Sequence, residues 1–201
     1  MKWYREIIFL FIFSFCLSKY PEAQQKGFSI RIVQEDAVHL PEPGTSTITL
    51  QQKTFKIQVL LQHLEGVYVF ASFQDSLYNL PGPDPVPGFT TLTDLVMAEE
   101  AFNKDKELLV ADDGWSYWFF DPSLDWHRFN KKMVFLDSGR VVGTKTIKQL
   151  YLVAAQESVK LKENNKPLYL FFVAAEKADA NGKPMQELYR RRIKIDWRDE
   201  D

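Results

Sequence analysis

The side chains of residues 110–129 are the group in this sequence whose types and spacing could do chemistry. This run holds three of the chain's five tryptophans, together with four acids and a histidine. An exposed tryptophan ring can stack on a sugar face while its charged neighbours hydrogen-bond to the sugar hydroxyls. The run therefore predicts a ligand-binding site, and its candidate residues are Trp126, His127, Asp125, Arg128, Asp112, Asp113 and Trp115.

Carboxylates near the aromatic run offer a second interpretation, because glycoside hydrolysis requires two carboxyl groups at a controlled separation. Spacing along the chain does not establish that separation in space. We keep a carboxylate-dependent glycoside hydrolase as the alternative to a binding module. The acids that could supply the pair are Glu99, Glu100, Asp112, Asp113, Asp121 and Asp125.

Other catalytic and metal sites have weaker support in the sequence. There is no GxSxG motif, and the chain has only three histidines, so no nucleophilic triad is visible. His127 could bind calcium with Asp121 and Asp125, or with Asp112 and Asp113. The HxxxH, HxH and EF-hand patterns are all missing, however. We predict no metal and no cofactor, and we favour a binding protein over an enzyme.

The first 23 residues have the pattern of a secretory signal. Lys2 and Arg5 precede an apolar run that covers residues 7–13 and extends to residue 17. The run is shorter than the roughly 20 residues that span a bilayer as a helix. We predict a signal peptide at 1–23, cleaved somewhere in 18–24, and an exported protein that is periplasmic, secreted or on the cell surface. An alternative is that Cys16 is lipidated and tethers the chain to a membrane.

Composition limits the kinds of protein that residues 24–201 can form. Cys16 is the only cysteine, so we predict a protein without disulfides or cysteine-based metal sites. Residues 24–201 are predicted to form one domain. The net charge of the full sequence is −2 and the charges are mixed along the chain, a pattern that lacks the basic face of nucleic-acid-binding proteins. The predicted partner is a glycan or a protein, and the sequence leaves the oligomeric state open.

Alternating apolar and polar residues predict most of the strands. Phe28, Ile30 and Ile32 alternate with less apolar neighbours, which is typical of a half-buried strand. The same period over residues 54–62 and 67–73 predicts two strands that pair as a β-hairpin.

Three further segments have distinctive patterns. Residues 115–120 carry large side chains on both faces and residues 168–175 are apolar throughout, so both are predicted to be strands buried on both sides. Residues 187–197 alternate apolar with mostly basic side chains and are predicted to form an edge strand with a solvated basic face. Residues 146–155 fit a helix or a strand, and we favour a helical turn that leads into a strand.

One helix and two long loops complete the prediction. Residues 91–106 have helical periodicity, and Thr91 with Asp94 approximates a capping box. Residues 74–89 contain four prolines and two glycines, so they are predicted to form a surface loop. A second loop is predicted over residues 121–130.

These patterns together predict a mainly β fold. We expect an antiparallel β-sandwich of Greek-key or jelly-roll type, with the helix at 91–106 packed on a sheet. The predicted function is an exported, non-enzymatic binding or envelope-associated module that holds its ligand with loops 74–89 and 121–130. A structural subunit of a surface assembly, joined through an edge strand such as residues 187–197, is a further alternative.

Overall fold

The computed structural model describes residues 27–64, 66–79, 82, 84–85, 96–97, 107–111, 114, 116–120, 134–137, 139–175 and 186–198. In these ranges the chain is mainly β, with fourteen strands in three sheets, one short α-helix and one 3₁₀-helix. No helix in the described ranges is long and apolar enough to cross a membrane. The predicted signal peptide at 1–23 lies outside them.

The elements follow one another along the described chain with these bounds. The strands are β1 (Gly27–Gln34), β2 (Ala37–His39), β3 (Gly44–Gln51), β4 (Phe55–Gln62), β5 (Gly66–Ser72), β6 (Val96–Met97), β7 (Leu108–Val110), β8 (Ser116–Phe120), β9 (Val134–Asp137), β10 (Arg140–Ile147), β11 (Gln149–Leu152), β12 (Glu157–Lys160), β13 (Leu168–Ala175) and β14 (Glu187–Arg198). The α-helix, α1, is Asp75–Asn79, and the 3₁₀-helix is Leu161–Glu163.

The five-stranded sheet has the order β2-β1-β4-β10-β9 and is antiparallel throughout. The predicted alternation of β1 is confirmed, since Phe28, Ile30 and Ile32 are buried while Ser29 and Arg31 are exposed. Burial alternates along β4 and β10 as well. The sheet therefore has one buried face and one face that is more exposed to solvent.

The six-stranded sheet has the order β3-β14-β13-β5-β8-β6. Its strand β13 lies in the interior, and residues 168–174 are all buried, which confirms the prediction for this apolar run. The pairs β14–β3 and β6–β8 are parallel. In the three-stranded sheet, β12-β11-β7, the pair β11–β7 is also parallel. The sheets are thus mixed, and the prediction of purely antiparallel pairing is wrong at these three pairs.

One hydrophobic cluster is shared by the two larger sheets. It includes Ile32 and Ile57 from the five-stranded sheet and Phe172 and Ile193 from the six-stranded sheet, each at most 1% exposed. Leu150 of the three-stranded sheet is fully buried in the same cluster. Burial of such a side chain stabilises a fold by roughly 1.5–3 kcal/mol, so this cluster is a main source of stability.

The predicted β-hairpin of residues 54–62 and 67–73 is wrong. β4 pairs with β1 and β10, whereas β5 pairs with β13 and β8, so the chain passes from one sheet to the other between them. Alternation shows that each strand buries one face, but it does not distinguish a paired neighbour from a strand across the core. Gly66 starts β5 so close to β8 that a Cβ there would overlap the carbonyl oxygen of Phe120.

The helix and loop predictions are wrong where the structure describes them. Val96–Met97 is a strand that pairs with Ser116 and Tyr117, so the predicted helix over 91–106 is not continuous; its other residues lie outside the described ranges. The predicted loop 74–89 contains α1, which ends before the first proline. Residues 146–147 end β10 and residues 149–152 form β11, so the favoured helical turn is wrong there and the strand alternative is confirmed.

The prediction of a solvated edge strand at residues 187–197 is also wrong. β14 lies between β3 and β13, inside the six-stranded sheet. Arg190 is buried and donates hydrogen bonds to both carboxylate oxygens of Glu187, at 2.5 and 3.0 Å. Arg192 donates to the Thr45 hydroxyl at 3.0 Å. An interior strand can carry such residues because they are paired, since a buried charge without a partner is strongly destabilising.

β8 is less buried than its aromatic composition predicts. Phe120 is fully buried in the shared cluster, but Tyr117 and Phe119 are only half-buried. Tyr117 packs against Phe70 with ring centroids 5.7 Å apart, and Phe119 lies 4.4 Å from Tyr68. The prediction that this strand is fully buried on both faces is wrong for these two rings, which form a smaller aromatic cluster on the other face of the sheet.

Candidate functional site

The predicted ligand-binding residues all lie outside the described ranges. The predicted loop 121–130 lies wholly outside, and only part of the loop 74–89 is described. The site in these loops therefore stays a prediction. Its residues are Trp126, His127, Asp125, Arg128, Asp112, Asp113 and Trp115.

The two described histidines are His39 and His63, and His63 has a structural role. The His63 backbone N–H donates to the Gly139 carbonyl at 2.6 Å. Gly139 has a φ of 82°, and a Cβ at this position would overlap the His63 ring. Glycine is thus required here by both conformation and space. This contact joins the end of β4 to the turn between β9 and β10.

A cleft rich in lysine lies at one end of the described strands. Its volume is about 480 Å³, and we call it the lysine cleft. Four segments line it: the β1–β2 turn, the β3–β4 turn, the β10–β11 junction and the end of β12 with the 3₁₀-helix. The lining residues are Glu35, Gln52, Lys53, Thr54, Lys148, Lys160, Leu161 and Lys162.

Strand register explains why these segments meet. The last residue pair between β10 and β4 is Ile147 with Phe55, so Lys148 and Thr54 leave the sheet at the same end. Gln149 pairs with Lys160 in the next sheet, which brings the end of β12 beside Lys148. Residues far apart in sequence therefore become neighbours because three strands end together.

The side chain of Gln34 fixes the position of the β3–β4 turn. It is buried at the end of β1, where its amide donates to the carbonyls of Gln51 and Lys53 at 2.9 and 3.1 Å. Its oxygen accepts from the Gln51 N–H at 2.8 Å. On the other side of the turn, Gln52 donates to the Asn164 carbonyl at 2.5 Å. These bonds hold one wall of the lysine cleft against β1 and against the 3₁₀-helix.

Gln34→Ala is expected to lower the free energy of unfolding by roughly 1–3 kcal/mol, because part-buried backbone groups lose their partners. Urea denaturation measures this loss. Gln58→Ala is the matched control, since the described bond of its side-chain amide is a long one to Thr144, at 3.4 Å. We expect the control to change stability by no more than about 0.5 kcal/mol. Equal losses in the two variants would contradict the positioning role.

The charges of the lysine cleft are unequal. Lys53 lies 3.9 Å from Glu35, and Lys148 lies 2.6 Å from Glu107. Among the described residues, Lys160 and Lys162 have no carboxylate within the 4.0 Å of an ion pair. Along the described lining, positive charge therefore exceeds negative charge, and two ammonium groups have no described carboxylate partner. Each ammonium carries three hydrogen-bond donors, which suit carboxylate, phosphate and sulfate oxygens.

The described lining of the lysine cleft lacks the carboxylate pair of a glycoside hydrolase. It includes one carboxylate, Glu35, whereas glycoside hydrolysis requires two. The side chain of Glu35 is 66% exposed and approaches Lys53.

The basic side chains of β14 form a weaker candidate site, because their charged groups already contact other side chains of the protein. Arg192 lies 5.4 Å from the centroid of the Tyr78 ring, and Lys194 pairs with Asp196 at 2.9 Å. Burial raises the pKa of Tyr78 to about 12, and the nearby Arg192 guanidinium offsets part of this rise. The Tyr78 hydroxyl is buried and has no hydrogen-bond partner within the described part of the chain. This surface is packed, whereas the lysine cleft is open.

Sequence patterns do not reveal the four lysines of the cleft. Lys53 lies in a polar turn, Lys148 in a segment of ambiguous periodicity, and Lys160 and Lys162 beside Glu157 and Glu163. Each lysine looks like an ordinary surface charge in its own segment. The one available signal is that all four lie at or just beyond strand ends, and it becomes useful only when the strand order is known.

Comparison with known proteins does not identify the chain. No model of a protein family matches it, and no curated protein is significantly similar in sequence. Across the described ranges there is no group of three or more His, Cys, Asp or Glu side chains that could hold a metal ion. The geometry and charge of the lysine cleft are therefore the basis for a functional assignment.

Proposed function

We propose that this chain is an exported, non-enzymatic binding module whose lysine cleft holds a small ligand with several anionic groups. The observation that carries the proposal is the convergence of Lys53, Lys148, Lys160 and Lys162 on one open cleft. Two of these lysines have no carboxylate partner among the described residues, so a bound anion would supply the negative charge that balances them. Small-molecule sites commonly have volumes of roughly 300–1,000 Å³, and this cleft falls in that range.

The ligand class follows from the type of donor. Lysine is a flexible point charge that binds phosphate, sulfate and carboxylate without a fixed planar geometry. An acidic saccharide belongs to this class and would agree with the glycan partner that the sequence predicts. Because the four lysine side chains are exposed, salt should screen their attraction for the anion, and affinity should fall as ionic strength rises.

The proposed architecture is a β-sandwich in which the five- and six-stranded sheets are the two layers. The shared hydrophobic cluster supports this arrangement, because buried side chains from both sheets belong to it. The lysine cleft would then lie at one end of the sandwich, where strand-connecting turns meet. Turns on a rigid sheet framework are common places for binding sites. Export is proposed from the signal pattern of residues 1–23.

Lys160→Gln combined with Lys162→Gln is expected to raise the dissociation constant for inorganic pyrophosphate at least about tenfold, equivalent to ~1.4 kcal/mol. The variant keeps the length of both side chains and removes both charges. Isothermal titration calorimetry at low ionic strength measures the effect. Each single variant should have an intermediate affinity, and the binding of the unmodified chain should weaken as sodium chloride is added.

The matched control is Arg31→Gln, which removes one exposed positive charge from the middle of β1 without altering the lining of the cleft. Its affinity should equal that of the unmodified chain. A series of acidic and neutral oligosaccharides then tests the glycan class, and only the acidic members should bind at this cleft. The proposal fails if pyrophosphate and acidic oligosaccharides give no binding heat, or if the double variant binds them unchanged.

A further inference from the structure

β3 differs from every other edge strand in the described ranges. It is eight residues long, whereas the other strands at described sheet edges have only two to four residues: β2, β6, β7, β9 and β12. Natural proteins protect sheet edges with short strands, charges, prolines or bulges, because unpaired backbone groups invite another strand. β3 reads GTSTITLQ and has neither a charged residue nor a proline. Its outer edge therefore lacks these protections.

Leu40, an exposed apolar side chain, lies next to this edge. Its side chain is 68% exposed. Among the described residues, Leu40 and Val38, which is 55% exposed, are the large hydrophobic residues with exposed side chains. A groove of about 420 Å³ runs between residues 39–42 and residues 45–48 of β3. A strand added to β3 would enter this groove and reduce the exposure of Leu40.

We infer that the occupant is β3 of a second copy, so that two chains form a dimer through antiparallel pairing of their β3 strands. The sequence of the strand is complementary to itself in this arrangement. A two-fold axis at Thr47 places Thr47 opposite Thr47 of the partner subunit and Thr45 opposite Thr49 of the partner subunit. Threonine pairs directly across neighbouring strands are favourable. The exposed threonines of the two β3 strands thus lie side by side on one face of the joined sheet.

Charge at the two ends of β3 is also complementary. Glu42 precedes the strand and Lys53 follows it. Antiparallel pairing brings the start of each strand to the end of the other, so the carboxylate of one copy approaches the lysine end of its partner. No like charges oppose each other within the paired residues, because β3 contains none. The dimer would join two six-stranded sheets edge to edge.

This interface replaces the edge-strand assembly that the sequence predicts at residues 187–197. That segment is β14, which is already paired on both sides, while β3 is the next strand outward. The inference does not depend on what the lysine cleft binds. Except for Lys53, which also lines the lysine cleft, it uses residues that have no part in the proposed function.

Sedimentation equilibrium of the full chain tests the inference. We expect a dimer whose population rises with concentration. Thr47→Lys should shift the chain to monomer, because it places two ammonium groups next to each other across the two paired strands at the two-fold axis. Thr47 is exposed, so the substitution should leave folding intact, which circular dichroism checks. Ser29→Lys is the control, since it adds an exposed lysine to β1, an internal strand, and should stay dimeric.

A mixture of Thr47→Lys and Thr47→Glu chains separates loss of pairing from loss of folding. Each variant alone should be monomeric, and the mixture should form heterodimers because the introduced charges then attract. A monomer at every concentration of the unmodified chain would overturn the inference. Dimers of Thr47→Lys as stable as those of the unmodified chain would overturn it as well.

Discussion

Glu187→Ala is expected to lower the free energy of unfolding by about 3–5 kcal/mol, because it leaves the Arg190 guanidinium buried without its carboxylate. The two side chains are 0% and 3% exposed and are joined by two hydrogen bonds. Arg190 also donates to the Gly82 carbonyl at 3.0 Å and lies 5.6 Å from the centroid of the Phe171 ring. These contacts hold the guanidinium in place, so it cannot simply turn into solvent. Urea denaturation measures the loss.

Two controls separate the buried charge from general damage to β14. Asp196→Ala removes the carboxylate of the Lys194 pair, whose side chains are 33% and 36% exposed, and should lower stability by at most about 1 kcal/mol. Replacing both Glu187 and Arg190 by leucine and methionine removes the charge and its partner together. This double variant should recover much of the loss, because an apolar pair needs no hydrogen bonds. A loss below about 1 kcal/mol for Glu187→Ala would contradict the role of the pair.

Phe120→Ala is expected to lower the free energy of unfolding by about 3–5 kcal/mol, since it opens a cavity in the cluster shared by the two larger sheets. Phe120 is fully buried at the end of β8. Tyr117→Ala, on the same strand but on the opposite face, should lower stability less, because Tyr117 is half-buried in the smaller aromatic cluster. Thermal and urea unfolding of both variants make the comparison. A larger loss for Tyr117→Ala would show that the shared cluster is not the main core.

Local patterns predict the strands of this protein better than their pairing. The alternation of β1 and the continuous apolar run of β13 are both confirmed, because a side chain's burial depends on which face of its strand it occupies. Pairing is not encoded in that period. β4 and β5 have the alternation of a hairpin yet belong to different sheets, since either arrangement buries one face of each strand.

The basic residues of β14 show a second limit of sequence reasoning. Alternating arginines are typical of a solvated face, but Arg190 has its buried partner only three residues away, at Glu187. That spacing places the two residues on opposite faces of a regular strand, so their pairing depends on the local shape at the start of β14. The pairing of β13 with β14 shifts register near Ala174 and Ala175, opposite this region. Such an irregularity is not visible in the alternation pattern.

The lysine cleft could not be predicted because it depends on where strands end in space. Lys53, Lys148 and Lys160 come from three separate segments, and their proximity follows from the register of β10 with β4 and of β11 with β12. The mixed charge along the sequence predicts no basic face. These lysines nevertheless become neighbours once the strands pair. Charge patterning in sequence describes a surface only within one element at a time.

Backbone amide spectra recorded by NMR during a titration with inorganic pyrophosphate test the lysine cleft most directly. We predict saturable shifts that concentrate at residues 52–54, 148 and 160–162, with little change along β14. The same titration in the variant that lacks the charges of Lys160 and Lys162 should give much smaller shifts. Shifts confined to residues 121–130, or the absence of any saturable shift, would contradict an anion-binding function for the cleft.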